Sequence, residues 1–402
     1  MLHYRNPALS PEERTQDLLS RMTLEEKAGQ MIQVPYSEIS REDAMEWVEK
    51  RFAGSFLHVL GKEAQMLQDR ALNTRLGSPL IFGIDAIHGH ALHNGATVFP
   101  SQLGMSCSWN PELIRQMGRV TGREVAADGL HWTFSPVLCI GRDLRWGRIN
   151  ETFGEDPYLI GELAAAMIRG YQGEALSDDS SILACAKHYL AYGESTGARD
   201  AQETPISERK VREIFLPPFR KAVEAGCATL MSAYLAIDGT PVTASRKYLR
   251  TILKEELGFN GFVVTDWNNT GALTNGQFIA SDIDEATRMA VDAGNDMLMT
   301  TLESYDALIR LVKDGKLPEK LLDEAVGRIL RIKFAMGLFD NPRKISHGRK
   351  PRLFACPEHL KVNEQLTRES IVLLENKNNL LPLNGNIREI AVIGPNADDI
   401  RA

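Results

Sequence analysis

A chain of 402 residues can bury one large core, or a large domain and part of another. Its net charge is −7 and it has no Lys/Arg-rich run, which argues against nucleic acid and anionic membrane as partners. No apolar run approaches the roughly 18 residues of a spanning helix. The opening MLHYRNPALSPEER has no apolar stretch of the kind a secretory signal needs, so the expected compartment is the cytoplasm. The five cysteines (Cys107, Cys139, Cys185, Cys227, Cys356) are odd in number, with no CxxC pair. Each lies in or near an apolar segment, so reduced, buried thiols are expected.

In chain order, eight apolar, β-like segments stand out: MIQV (31–34), SFLHVL (55–60), PLIFGID (79–85), WTFSPVLCI (132–140), ILACAKHYL (182–190), ATLMSAYL (228–235), FVVTD (262–266) and DMLM (296–299). Helix-period stretches with start signals lie between most of them. Asn110-Pro111 opens one that runs to about Asp128, Asp156-Pro157 opens another, and Ser207-Glu208 opens a third that ends near Gly226. Strands alternating with helices imply parallel pairing, and eight such units point to an α/β fold, a (β/α)8 TIM-like barrel over residues 1–340. The rival, an open doubly wound sheet, usually carries a Gly-rich phosphate turn, and no GxGxxG or GxxxxGK[ST] is present. A helix over about 318–336 follows the last strand. Residues 341–362 then read as a basic, Pro- and Gly-containing linker. A helix over about 357–375 and a strand over 389–394 come next. Residues 363–402 therefore read as the incomplete opening of a second domain.

Polar residues gather at the C-terminal ends of the strands, where a barrel places its active face. Asp85 ends the third segment, and Arg145 and Arg148 follow the fourth. Lys187 and His188 lie in the fifth, Tyr234 in the sixth, and Asp266-Trp267 close the seventh. Singly, each has an ordinary reading: a helix N-cap, a core histidine, a surface ion pair. Alternation on a strand places Lys187 and His188 on opposite faces, one lining the barrel. Together the set suits sugar chemistry. Carboxylates accept from adjacent hydroxyls, Lys, His and Arg donate, and an indole offers an apolar face to the C–H side of a pyranose. Asp266 has the type and position of a nucleophile at an anomeric carbon. A metal reading competes at His88, His90 and His93 in GIDAIHGHALHNG, but no carboxylate or Cys lies at ligand spacing. No metal and no cofactor is expected.

The motifs MTLEEKAGQM, GIDAIHGH, ATVFPSQLGMSCSWNPEL, REVAADG, RDLRWGRINETFGEDP, AKHYLAYG, LMSAYLAIDGTPVTAS, LGFNGFVVTDW, AGNDMLM and LLENKNNLLPL occur in one order from residue 22 onward. In them the chain resembles family 3 glycoside hydrolases of the β-glucosidase/β-xylosidase branch. The resemblance implies a retaining exo-β-glycosidase acting on β-glucosides or short β-linked oligosaccharides, with Asp266 as nucleophile. It implies that Asp85, Arg148, Lys187 and His188 hold the glycone, that Tyr234 lines its subsite, and that Trp267 borders the aglycone. Met231 and Asp296 read as structural, and Glu151, Glu155 and Asp156 as acids that fix the loop by pairing the arginines. A sister branch carries an Asp-His proton-transfer pair in a KHFPGHG…DxH pattern. Here Leu190 and Tyr192 stand at the Pro and His positions, and Asp200-Ala201-Gln202 replaces DxH. In the β-glucosidase branch the acid/base is a Glu of the second, αβα-sandwich domain, which this sequence only begins. The implied parent is a β-glucosidase or β-xylosidase, and the implied piece a sugar binder with weak catalysis and an exposed apolar face on residues 363–402. A metal-dependent hydrolase and a purely sugar-binding protein are the alternatives.

Overall fold

The computed structural model describes residues 2–343, 353–394 and 397–398. Each of the eight apolar segments contains one strand: β1 (Ile32–Pro35), β2 (Ser55–Leu57), β3 (Ile81–Ile84), β4 (Trp132–Thr133), β5 (Cys185–Tyr189), β6 (Thr229–Ser232), β7 (Phe262–Thr265) and β8 (Leu298–Met299). Parallel ladders join β8-β1-β2-β3-β4 and β5-β6-β7. The two arcs meet through the parallel pairings Trp132–Leu183, Val137–Lys187 and Val264–Met297, which close the ring. The result is the expected barrel. The fourth segment departs from a continuous strand because Pro136 has no N–H for the ladder. The Gln102 side-chain amide takes the place of a neighbouring strand there, accepting from Val137 N (3.1 Å) and donating to Val137 O (2.7 Å).

Side chains alternate as a pleated strand requires. Phe262, Val264, Met231, Cys185, Trp132, Phe134 and Met299 fill the inside of the barrel, while Val263, Leu230, Phe82 and Ile84 pack outward under the helices. Gly83 admits this filling, since a Cβ there would meet Phe134 Cζ at 2.8 Å. Helices Pro111–Ala127 and Pro157–Gln172 begin where expected, with Asn110 and Asp156 accepting from Leu113 N and Leu159 N. Cys139, Cys185 and Cys227 are buried free thiols, whereas Cys107 is exposed and Cys356 half-buried, so burial does not extend to all five.

Beyond the barrel, Arg343 donates to the carbonyls of Ser181, Leu176 and Met336. Residues 344–352 of the expected linker lie outside the described residues. Helix Pro357–Glu369 runs across the 362/363 division, stops six residues short of 375, and packs on helix Pro111–Ala127 with Leu366 fully buried. The strand expected at 389–394 does not form. A strand needs a ladder partner, and residues 389–394 pair with none of the described residues, with Ile390, Val392 and Ile393 exposed.

Candidate active site

A cavity of about 300 Å³ opens at the C-terminal end of the barrel, with Asp85, Arg148, Glu151, Lys187, His188, Asp266 and Trp267 among its walls. Phe134, Met231 and Met299, shared with the barrel interior, line it as well. Four strands or their following loops (β3, β4, β5 and β7) thus contribute polar groups to one space.

Asp85 follows β3 directly. Its Oδ1 accepts from Lys187 Nζ at 3.0 Å and its Oδ2 faces His58 Nε2 at 2.9 Å. Burial alone would raise this carboxyl, but the Lys187 ammonium and the His58 contact outweigh it and hold Asp85 well below the usual carboxylate range. It is therefore ionised, with a third of its side chain open to the cavity. The Lys187 side chain is nearly buried, with its ammonium 6.0 Å from the centre of the Phe134 ring.

Lys187 and His188 do not sort to opposite faces: both line the cavity. The β5–β6 register shifts between Ala186 and Tyr189, and such an irregularity re-aims a side chain. His188 is wholly buried. Desolvation, then the Arg148 and Lys187 charges, push its imidazole well below its ordinary range, so it is neutral. Its Nε2 lies 3.4 Å from Asp266 Oδ2, a contact between a neutral ring and a carboxylate rather than an ion pair.

Asp266 follows β7. Its Oδ1 accepts from Trp267 N at 2.7 Å. Its Oδ2 is buried without a hydrogen-bond donor. Burial raises the Asp266 carboxyl, opposed by the Lys187 charge, the Trp267 N–H, Arg148 and Tyr234. Tyr234 stands beside it and donates its hydroxyl to Trp267 O at 2.6 Å. Arg148 makes a two-pronged pair with Glu151 (2.8 Å at both contacts) and lies over the Tyr192 ring. Glu151 thus pairs an arginine as expected, whereas Asp156 serves as a helix cap. Arg145 is not part of the site: it is exposed and folds onto Asp143 at 2.6 Å, while Trp146 between the two arginines is buried. Met231 lines the cavity as well as the barrel core, and Asp296 is structural, accepting from Lys254 Nζ and Val263 N at 2.8 Å each.

Two further residues, beyond those expected from the sequence, adjoin this site. His58 sits directly after β2, at the strand-end position that singles out the other polar residues. Tyr192 meets the rings of His188, Trp146 and Tyr234 and donates its hydroxyl to Asp200. Of the loop histidines, His88 and His90 make side-chain hydrogen bonds, while the His90 and His93 rings stack 5.6 Å apart and both face Asp128, His93 Nε2 at 3.7 Å. His88 Nδ1 contacts Phe99 O at 2.8 Å, and His90 Nε2 contacts Asp128 Oδ2 at 2.9 Å, with His93 stacked on Phe354. Asp128 is thus a carboxylate partner in space, although it lies far away in the chain. Among the described residues no helix is long and apolar enough to cross a membrane.

Residues 23–332 match the family model described as Glycosyl hydrolase family 3 N terminal domain. A lysosomal β-glucosidase of Dictyostelium discoideum is 35% identical over 96% of this chain and 51% of its own length. A β-xylosidase of Formosa agariphila is 38% identical over 85% of the chain and 49% of its own. A solved β-glucosidase involved in saponin metabolism from intestinal bacteria superposes with a TM-score of 0.86 at 46% identity, over 92% of this chain and 48% of that one. The chain spans about half the length of the curated relatives it matches.

Proposed function

The chain belongs to glycosyl hydrolase family 3, and from that premise we propose that it carries the nucleophile and glycone pocket of a retaining, exo-acting β-glycosidase for terminal β-D-glucosyl residues. The observation that carries this reading is Asp266 Oδ2, a buried carboxylate oxygen without a donor, on the same cavity as the Asp85–Lys187 pair. At about 300 Å³ the cavity lies at the lower end of small-molecule sites, a size suited to one sugar ring. Asp85 accepts from neighbouring sugar hydroxyls; Lys187 and Arg148 donate to them. Neutral His188, whose Nδ1 lies 3.4 Å from Cys139 Sγ, turns Nε2 to the sugar beside Asp266. Trp267 offers its indole face at the aglycone side.

In the first step Asp266 Oδ2 bonds to the anomeric carbon. The glycosidic C–O bond breaks, and its electron pair leaves on the aglycone oxygen, which takes up a proton. Water then cleaves the glycosyl ester and restores the Asp266 carboxylate. Retaining enzymes place the proton donor about 5–5.5 Å from the nucleophile. By the family resemblance that donor is a Glu of a second, αβα domain. We assign residues 1–340 to the barrel, 341–362 to the linker and 363–402 to the beginning of that domain. In support, Ile371, Val372, Leu373 and Leu374 are exposed in a row directly after the last helix.

The β-xylosidase likeness favours one second reading, xylose in the same pocket. Steady-state hydrolysis of dinitrophenyl β-glucoside and β-xyloside by this chain decides between them. The proposal expects the glucoside to turn over faster. Faster xyloside turnover would assign the pocket to xylose, and no turnover of either would count against the glycosidase reading.

A further inference from the structure

We propose that His58 is a positioning residue of the sugar site, holding the Asp85 carboxylate in the orientation that receives sugar hydroxyls. The inference rests on the reading of Asp85 as a sugar-binding group. The imidazole Nε2 lies 2.9 Å from Oδ2 while Lys187 Nζ lies 3.0 Å from Oδ1. Facing a carboxylate, Nε2 carries the proton and donates. Two donors on two different oxygens, arriving from β2 and β5, fix the plane of the carboxylate and leave a lone pair on each oxygen for the ligand. Without His58, Asp85 is free to turn both oxygens to the Lys187 ammonium, and those lone pairs are lost to the sugar.

The backbone is built for this contact. His58 has a left-handed φ of +57°, a conformation uncommon for a residue with a side chain. Its N–H donates to Gly83 O at 3.0 Å, which ties it to β3, the strand that delivers Asp85. The ring is partly exposed (28% of the side chain) and stands 6.5 Å from Trp267, tilted by 31°. A residue kept only for packing would sit in the core. This one sits behind one sugar-contacting group and beside another.

The test is calorimetric titration of the full chain with the iminosugar isofagomine, with melting temperatures recorded alongside. His58→Phe keeps a ring beside Trp267 and removes the donor. It is expected to weaken binding about tenfold or more, the size of a lost hydrogen bond to a charged group. His58→Gln restores an N–H donor and is expected to recover most of that loss, with both variants melting within a few degrees of the parent. Wild-type affinity in His58→Phe, or equal weakness in both variants, would overturn the proposal. Asp85→Asn separates the two layers. Undiminished binding in that variant overturns the sugar-binding reading of Asp85 itself. A loss there with none in His58→Phe overturns only the role of His58.

Discussion

Lys333 offers a quantitative test of how the barrel is packed. It lies on helix Glu319–Ala335, fully buried, and its Nζ donates to Gln30 Oε1 at 2.6 Å. Burial alone pushes its ammonium down to about 7 from an ordinary 10.5. Between those pH values the unfolded chain still binds the proton that the folded chain has released. Stability therefore rises with pH across that window, by about 1.36 kcal/mol per pH unit. Over the accessible span from pH 7.5 to 9.5 this amounts to roughly 2–3 kcal/mol. Lys333→Met removes the titration and keeps the volume close. Gln30 Oε1 retains Ser78 Oγ at 3.2 Å, so it is not stranded. The variant should be the more stable protein at pH 7.5 and should lose roughly 2–3 kcal/mol of that advantage by pH 9.5. Urea unfolding of both proteins at the two pH values reads this directly, because every other titrating group cancels in the difference. Parallel pH dependence of the two proteins would refute the reasoning, since it would mean that Lys333 titrates alike in both states.

Asp85→Asn should cost stability as well as sugar binding, because it leaves the nearly buried Lys187 ammonium without its carboxylate. With a third of Asp85 open to solvent the loss is about 1–3 kcal/mol, below that of a fully buried pair, and is read as a shift in urea midpoint. Glu124→Gln should loosen the seam between barrel and C-terminal helix. Buried Glu124 accepts from Thr97 N, Thr97 Oγ1 and Ala355 N, and contacts His359 Nδ1 at 2.7 Å. The expected cost is about 1–3 kcal/mol, with faster amide exchange confined to helix 357–369; unchanged exchange there would show that the seam does not hold the helix.

The barrel was legible because its strands are short, mostly apolar runs, several of them closed by a polar residue, and parallel strands buried on both faces carry little else. The same rule exposed Asp85, Lys187, Asp266 and Trp267. It failed where local backbone detail decides. Reading SFLHVL as one strand hid His58, whose left-handed φ ends the strand at Leu57 and turns the imidazole to Asp85. Arg145 and Arg148 lie in one loop, and only the burial of Trp146 between them sends one to solvent and the other to the site. Strict alternation separated Lys187 from His188, and the register shift in β5 brings them together. The apolar run at 389–394 has the composition of a strand, but composition cannot supply a neighbour to pair with.

The central claim is that Asp266 attacks the anomeric carbon. The most direct measurement is incubation of the chain with a 2-deoxy-2-fluoro-β-glucosyl donor carrying a dinitrophenolate leaving group, followed by peptide mass spectrometry. The leaving group needs no proton, so the reaction does not depend on a general acid. The account predicts a single fluoroglucosyl adduct on Asp266, abolished in Asp266→Asn. An adduct on Glu151 or Asp85, or no adduct from a chain that binds isofagomine, would contradict it.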